Sequence, residues 1–146
     1  IYIDVNSIRF STADMFKILE KSDYLTEETT AELKQMNLHN NDFQKRTTNL
    51  QLFRKYTQCF LERNELLQKN PNFLSLVRQL QGTEHGLPLE IYIFTKSTTW
   101  VNFESIQADI FDHLFAILPY FHLRAFQNIT GSDLKVDSKR KVADSL

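Results

Sequence analysis

Residues 86–95 of this chain, GLPLEIYIFT, decide the fold that the sequence predicts. The segment from Leu89 to Phe94 predicts a β-strand, and a second strand is predicted upstream of it, from Leu74 to Leu80. Gly82 and Gly86 lie between these strands, and glycine adopts the positive φ angles that turns require. The stretch therefore predicts a β-hairpin whose loop is longer than two residues.

A helix is predicted directly after the hairpin. Thr98 or Thr99 caps its start, and Pro119 ends it because proline cannot continue a helix. The residues on its apolar side are predicted to be Phe103, Ile106, Ile110, Phe111, Leu114 and Leu118. The residues from Phe121 to Gln127 then predict the last strand.

Two further elements are predicted upstream of the hairpin. Residues 1–10, IYIDVNSIRF, predict a strand with a bend near Asn6, because the alternation of apolar residues changes parity there. Thr48 and Gln51 have the spacing of a capping box, which indicates a helix that continues until Pro71 stops it. The residues on its apolar face are predicted to be Phe53, Tyr56, Phe60 and Leu67.

Residues 11–46 are predicted to form a helical insert after the first strand. Ser11 is the predicted cap of a short helix, and Thr26 is the predicted cap of a second helix that is mostly polar. Because the insert has few apolar positions, we expect it to be peripheral. Its replacement by a short linker is expected to leave the rest folded, although the ends to be bridged would be a helix length apart.

The predicted order of elements is strand, helical insert, helix, strand, strand, helix, strand. Without the insert this is the βαββαβ order of a ferredoxin-like sandwich, an α+β fold in which two helices cover one face of an antiparallel sheet. We expect one domain over residues 1–133, followed by a polar tail over residues 134–146. The basic run at residues 139–141 indicates either a solvated tail or a patch that binds a partner.

Several stretches of the chain resemble the C-terminal cytoplasmic domain of MscS-like mechanosensitive channels, most closely the miniconductance branch. They are VRQL at 77–80, GLPLEIYIFT at 86–95, the helix from Trp100 to Leu114, and LRAFQNITGSD at 123–133. The resemblance covers residues 1–10 and 47–133. It is thin over residues 11–46 and absent after Asp133.

The resemblance implies a ferredoxin-like domain that helps to build a cytosolic vestibule. In such channels seven copies surround a hollow chamber with side portals, through which ions and small osmolytes pass after membrane tension opens the pore. The chain would then form a homo-heptamer at the cytoplasmic face of the inner membrane and protect the cell under osmotic stress. The pore itself would belong to a membrane segment upstream of Ile1.

The sequence marks no catalytic, cofactor-binding or metal-binding residue, so we expect neither an enzyme nor a cofactor. The residues predicted to set the sheet register or to contact a neighbouring subunit are Arg78, Glu90, Tyr92 and Trp100. Arg78 and Glu90 stand at about equal distances from the middle of the hairpin loop. We therefore expect these two side chains to face each other across the hairpin.

The composition narrows the classes of partner. The chain has 17 Lys and Arg residues against 18 Asp and Glu residues, a balance that gives no reason to expect nucleic acid or an anionic membrane. No apolar run approaches the roughly 20 residues that cross a bilayer, so the chain is expected to be soluble as given. The single cysteine, Cys59, excludes an internal disulfide and favours a reducing compartment.

The main alternative function is a regulatory ferredoxin-like module that binds RNA or a small ligand. Tyr2, Tyr92 and Phe94 fall on strands whose aromatic side chains stack on bases in ferredoxin-like RNA-binding domains. The positive residues near them are limited to Arg78 and Lys96, which disfavours RNA. The competing interpretation packs the aromatic residues under the insert or against a neighbouring subunit.

Metal binding and catalysis are weaker alternatives. Asp109 and His113 have the i,i+4 spacing of two metal ligands on a helix. We expect them opposite the apolar side of that helix, where an ion pair facing solvent or a subunit is the simpler interpretation. No local nucleophile motif such as G-x-S-x-G is present, and the 3 glycines form no phosphate-binding loop.

Overall fold

The computed structural model describes residues 1–39, 42 and 45–128, so the tail predicted over residues 134–146 lies outside the described residues. In the described part, the strands are β1 (Tyr2–Ile3), β2 (Leu76–Gln79) and β3 (Leu87–Tyr92). The helices are α1 (Ala13–Glu20), α2 (Glu27–Leu38), α3 (Asn49–Arg63) and α4 (Trp100–Ile117). Short 3-10 turns lie at Val5–Ser7 and Leu118–Phe121. The predicted α+β class is confirmed. None of the helices described is long and apolar enough to cross a membrane.

The sheet has three antiparallel strands in the order β1-β3-β2. The predicted hairpin is confirmed, since β2 and β3 pair from Leu76 opposite Tyr92 to Gln79 opposite Leu89. Leu89 is 2% exposed and faces the helices. Because side chains alternate along a strand, Glu90 and Tyr92 point to the opposite face of the sheet.

Gly86 fixes the end of the hairpin loop. Its φ angle of 91° confirms the predicted need for a glycine there, whereas Gly82 does not have a positive φ. A Cβ atom at Gly86 would lie 2.4 Å from the carbonyl oxygen of Ile3, so the loop packs against β1 too closely for any side chain. The same glycine therefore serves both the turn and the packing of the hairpin on the first strand.

The segment from Phe121 to Gln127 does not form the regular strand that was predicted. Pro119 lies in the 3-10 turn that follows α4, and His122 caps this turn with a left-handed φ of 54°. Strand geometry is limited to one antiparallel bridge between Ala125 and Ile3. Phe121 and His122, which were predicted to begin the strand, instead form the end and the cap of this turn.

The bridge between Ala125 and Ile3 is supported on both sides by backbone hydrogen bonds. The Asp4 amide donates to the carbonyl of Arg124, and the Phe126 amide donates to the carbonyl of Tyr2, each at 2.8 Å. The segment around Ala125 thus runs beside β1, on the side of β1 opposite to β3.

The first strand is also shorter than predicted. β1 ends at Ile3, and Asp4 caps the 3-10 turn by accepting a hydrogen bond from the Asn6 amide. This turn lies where the change of parity predicted a bend. Downstream of it, Phe10 forms an isolated bridge with Thr48.

Of the predicted helix caps, two are confirmed by side-chain hydrogen bonds and one is wrong. Thr99 is the N-cap residue of α4, as one of the two predicted alternatives, but its side chain makes no capping hydrogen bond. The Thr26 side chain accepts from the Thr29 amide, and the Thr48 side chain accepts from the Gln51 amide. Ser11 does not cap α1, whose N-cap residue is Thr12. Instead, the buried Ser11 hydroxyl donates to the carbonyl of Thr47 and ties together the two ends of the insert.

The helix α3 ends earlier than predicted. Its C-cap is Asn64, so Pro71 is not the residue that stops it. Leu67 lies beyond the helix, where it is 3% exposed and forms a bridge with Thr95. Two further backbone hydrogen bonds hold the residues after α3 to the end of the hairpin. The Gln68 amide donates to the Phe94 carbonyl, and the Lys96 amide donates to the Leu66 carbonyl.

The insert predicted over residues 11–46 contains the helices α1 and α2, as expected, but its described part is not peripheral. The insert residues in the hydrophobic core are Met15, Phe16, Leu19 and Leu33, each at most 1% exposed. They come mostly from α1, whose apolar residues have helical spacing and pack on α3. Nor are the ends of the insert a helix length apart, because the Ser11 amide donates to the Thr47 carbonyl at 2.8 Å.

The buried side of α4 is narrower than predicted. Ile106, Ile110 and Leu114 are buried, whereas Phe103 is 36% exposed and Phe111 is only partly buried. The three buried residues follow the i,i+4 spacing of one helix face. Phe103 and Phe111 flank this face and line a cleft between α4 and the sheet.

Candidate functional site

Arg78 and Glu90 face each other across the hairpin, as their spacing predicted. The two residues are register partners in β2 and β3, and the Arg78 Nε atom lies 2.5 Å from the Glu90 Oε2 atom. The Arg78 side chain is 54% exposed and the Glu90 side chain is partly exposed, at 37%. The pair thus marks the register of the hairpin on its solvent-facing side.

We predict that this ion pair contributes less than about 1 kcal/mol to folding, because water screens charges at exposed positions. The measurement is a double-mutant cycle of Arg78→Gln and Glu90→Gln, read by urea unfolding. The coupling energy is expected to fall further at high salt. A coupling energy of several kcal/mol that does not depend on salt would contradict this prediction.

Tyr92 belongs to an aromatic cluster at the end of β3. The Tyr92 and Phe94 rings meet edge to face at 5.3 Å, and the Phe94 and Phe73 rings lie 5.0 Å apart. All three residues are exposed, Tyr92 to 49%. We call Phe73, Tyr92 and Phe94 the aromatic patch.

Tyr2 lies on the same open face of the sheet as Tyr92. Tyr2 pairs with Pro88, which has the same parity along β3 as Tyr92, and Tyr2 is 49% exposed. These tyrosines are therefore not packed under the insert, which corrects one of the two interpretations given above for the aromatic residues.

Trp100 stands apart from the other predicted contact residues. It begins α4, is 72% exposed, and touches Phe103 with ring centres 5.9 Å apart. Next to this pair lies an apolar cleft of about 130 Å³ between β3 and α4. Its lining includes Ile91, Ile93 and Ile110. Arg78, Glu90 and Tyr92 thus share one face of the sheet, whereas Trp100 rises from the helix layer.

His113 was predicted to lie opposite the apolar side of α4. This prediction is wrong, because His113 packs against residues of α3. Its Nε2 atom is 2.7 Å from the Tyr56 hydroxyl, and its ring stacks on Phe60 with centroids 4.1 Å apart. Tyr24, from the loop between α1 and α2, meets the same ring edge to face. The sequence did carry a signal for this position, because His113 follows Ile106 by seven residues, which is about two helical turns.

The titration of this cluster is shifted by burial. Burial lowers the pKa of the His113 imidazole from its ordinary value near 6.5. Burial, and then the neighbouring Tyr24, raises the pKa of Tyr56 to about 12. The folded protein therefore favours the neutral form of both groups, which lets the Tyr56 hydroxyl donate to the His113 nitrogen.

We predict a loss of stability below about pH 6.5 that depends on His113. The folded state has the lower pKa, so the unfolded state binds more protons, and the free energy of unfolding decreases as the pH is lowered. The loss begins at the unfolded pKa and ends below the folded pKa. Urea unfolding of the wild type and His113→Gln across this range tests it.

The wild type should lose more stability than His113→Gln as the pH falls. His85→Gln provides the control, because it replaces an exposed histidine outside this cluster. Parallel profiles for the wild type and His113→Gln would contradict the prediction.

Asp109 and His113 do not share a third candidate metal ligand in the described part of the chain. His113 is engaged by Tyr56, and Asp109 is exposed on the same helix. Within the described residues, no group of three or more His, Cys, Asp or Glu side chains lies close enough to hold a metal ion. Cys59 is buried, and burial, followed by the charge of Glu62, raises the pKa of its thiol.

Asn49 is a polar residue of the core that the sequence did not single out. Its side chain is 0% exposed and makes four hydrogen bonds. The Oδ1 atom accepts from the amides of Arg9 and Leu50 at 3.0 and 2.9 Å. The Nδ2 atom donates to the carbonyls of Ser7 and Phe121 at 2.9 and 3.0 Å. Asn49 thereby joins the start of α3 to both 3-10 turns.

The two 3-10 turns form the walls of a concavity of about 460 Å³. One wall contributes Asn6 and Arg9, and the other contributes His122 and Arg124. Arg124 also forms a 2.8 Å ion pair with Asp4, which lies outside this lining. We call this site the basic concavity.

Comparison with known proteins does not assign the chain. No protein-family model matches the sequence, and no solved structure matches the chain at a significant level.

Proposed function

We propose that this chain is a cytosolic vestibule domain of an MscS-like mechanosensitive channel, with a ferredoxin-like sheet. The observation that carries the proposal is the bridge between Ala125 and Ile3. It places the segment after α4 beside β1, while β1 lies beside β3 and β3 beside β2. This is the order in which a βαββαβ sandwich interleaves its two halves, the fold that the sequence resemblance implies.

The exposed aromatic residues support a role in subunit contact. The aromatic patch leaves three rings open to water at one end of the sheet, and Trp100 exposes 72% of its surface on the helix layer. Exposed apolar clusters of this kind mark interaction sites. Because they occupy different layers, they suit the heterologous contacts that close a ring of identical subunits.

In this function the domain carries no chemistry of its own. It forms part of the wall and portals of a cytosolic chamber, and ions and small osmolytes pass through the chamber after the membrane pore opens. Its partners are other copies of the same chain, and the pore lies in a membrane segment upstream. By itself the chain is expected to be a monomer or a weak oligomer, since ring closure is shared with that segment.

The test uses the complete gene in bacterial cells that lack their own mechanosensitive channels. We expect the cells to survive a hypo-osmotic shock and excised membrane patches to show currents gated by tension. Survival at the level of the empty vector, with no tension-gated current from protein that has reached the membrane, would refute the proposal.

The subunit contacts are tested in the same cells. Tyr92→Asp and Trp100→Asp are expected to reduce the amount of assembled ring in native mass spectrometry of the purified channel. Leu38→Asp is the matched control, because Leu38 is 77% exposed and belongs to the insert rather than to the proposed contact. Wild-type assembly by both variants would exclude these residues from the interface.

A second candidate function is favoured by the exposed tyrosines of the open sheet face. Tyr2 and Tyr92 lie on neighbouring strands with half of their surface open to water, which is an arrangement that suits base stacking by a regulatory module. Against it, Arg78 on this face is paired with Glu90. Fluorescence anisotropy of single-stranded RNA with the purified chain distinguishes the two functions, since a vestibule domain is expected to leave the anisotropy unchanged.

A further inference from the structure

The charge of the basic concavity differs from that of the whole chain. The chain has a formal net charge of −1, yet no acidic residue lines this concavity. Arg9 and Arg124 approach it from opposite walls, and the Arg9 guanidinium has no ion pair with another described residue. Two guanidinium groups at one concave surface raise the local concentration of anions.

The walls of the concavity are held rigidly before any ligand binds. The buried Asn49 side chain binds the Arg9 amide on one wall and the Phe121 carbonyl on the other. A second tie runs directly between the walls, because the Arg124 amide donates to the hydroxyl of the buried Ser7 at 3.1 Å. The positions from which both arginines extend are therefore fixed, and preorganisation lowers the entropy cost of binding.

We propose that the basic concavity binds the phosphate group of a small ligand. An arginine fork pairs with two oxygens, so one arginine satisfies a planar carboxylate. A phosphate offers more acceptor oxygens in a tetrahedral arrangement. It can therefore accept hydrogen bonds from Arg9 and Arg124 on opposite walls and from the side-chain amide of Asn6, whose backbone N–H already donates to Asp4. The imidazole ring of His122, which also lines the concavity, supplies a further N–H donor, since the His122 backbone N–H is used by the turn.

Asp4 sets the orientation of one of the two arginines. Its Oδ2 atom accepts from one nitrogen of the Arg124 guanidinium, which leaves the other N–H groups of the fork available to the ligand. Asp4 is the less exposed partner, at 21% against 69% for Arg124. The site thus combines one arginine held by Asp4 with one that has no ion pair among the residues the structure describes. It does not depend on the channel function proposed above.

The first experiment titrates the purified chain with inorganic phosphate and follows backbone amide shifts by NMR. We expect saturable shifts confined to residues 4–9 and 119–125, weaker at high salt. Arg9→Gln and Arg124→Gln are each expected to weaken phosphate binding about tenfold or more, because each removes one charge-assisted hydrogen bond. Lys34→Gln removes the same charge from an exposed helix surface and should leave the affinity unchanged.

A second experiment distinguishes free phosphate groups from those of lipid headgroups. Vesicles with and without an anionic phospholipid are sedimented with the chain and with each variant. If the chain sediments with the anionic vesicles and both arginine variants do not, the ligand is a lipid headgroup. If free phosphate saturates the site and the chain does not sediment with the vesicles, the ligand is soluble.

The absence of both signals would overturn the proposal. So would shifts that persist unchanged in Arg9→Gln. The Arg9 side chain is exposed and makes no ion pair with another described residue, so this variant is expected to keep its fold. Circular dichroism of every variant checks that the fold is intact.

Discussion

Asn49→Asp is expected to unfold the domain or to lower its free energy of unfolding by about 4 kcal/mol or more. The substitution keeps the size of the side chain but replaces the two Nδ2 donors by an acceptor. The new oxygen would face the carbonyls of Ser7 and Phe121, at the positions where they now accept hydrogen bonds. Each buried group left without a partner costs about 1–3 kcal/mol, and an unpaired buried charge costs more.

The measurement for Asn49→Asp is urea unfolding at neutral pH. Asn72→Asp provides a matched control, because Asn72 is exposed and its side chain makes no hydrogen bond in the described part of the chain. The control should stay within about 0.5 kcal/mol of the wild type. A similar small change for Asn49→Asp would show that the four bonds do not hold the turns together.

Replacing residues 11–46 by a short linker is expected to abolish the cooperative unfolding transition. Chain closure is not the obstacle, since Phe10 and Thr48 already form a bridge at the base of the insert. The obstacle is the loss of Met15, Phe16 and Leu19 from the core, each at most 1% exposed. Removing even one such side chain costs about 3–5 kcal/mol, which approaches the total stability of a small domain.

Thermal unfolding by circular dichroism and calorimetry measures this effect. Phe16→Ala is expected to lower the stability by about 3–5 kcal/mol in the otherwise intact chain. Leu38→Ala, in the same insert, should change it by less than about 0.5 kcal/mol, because Leu38 is 77% exposed. A linker variant that still unfolds cooperatively would restore the view that the insert is an appendage.

Features that depend on near neighbours in the sequence were predictable. Thr26 and Thr48 cap their helices through residues three positions later, and the pairing of Arg78 with Glu90 follows from the spacing of one hairpin. The residues in each of these contacts are at most 12 positions apart in the sequence. Local propensity and turn geometry are therefore sufficient to predict them.

The role of the insert could not be predicted by counting apolar residues. α2 is indeed mostly polar, yet α1 concentrates Met15, Phe16 and Leu19 on one face and places them against α3. Burial depends on what a face packs against. For a helix as short as α1, the arrangement of the apolar residues predicts burial more reliably than their number does.

The residues that organise the basic concavity were missed for a different reason. Asn49 begins α3, where asparagine is usually an exposed residue at a helix start. Its partners Ser7 and Phe121 are separated from it by 42 and 72 residues along the chain. Only the tertiary fold brings these groups together, so no local pattern marks the site.

The central place of β1 in the sheet has a consequence for synthesis on the ribosome. Of the strands described, β1 is made first, but its neighbours on its two sides, β3 and the segment at Ala125, are made after β2. The hydrogen bond from Arg124 to Ser7 joins residues 117 positions apart. Contacts of such long range slow folding. The nascent chain must therefore keep Ile3 unpaired until first β3 and then the segment at Ala125 have emerged from the ribosome. The sheet is completed only when nearly all of the described residues have been made.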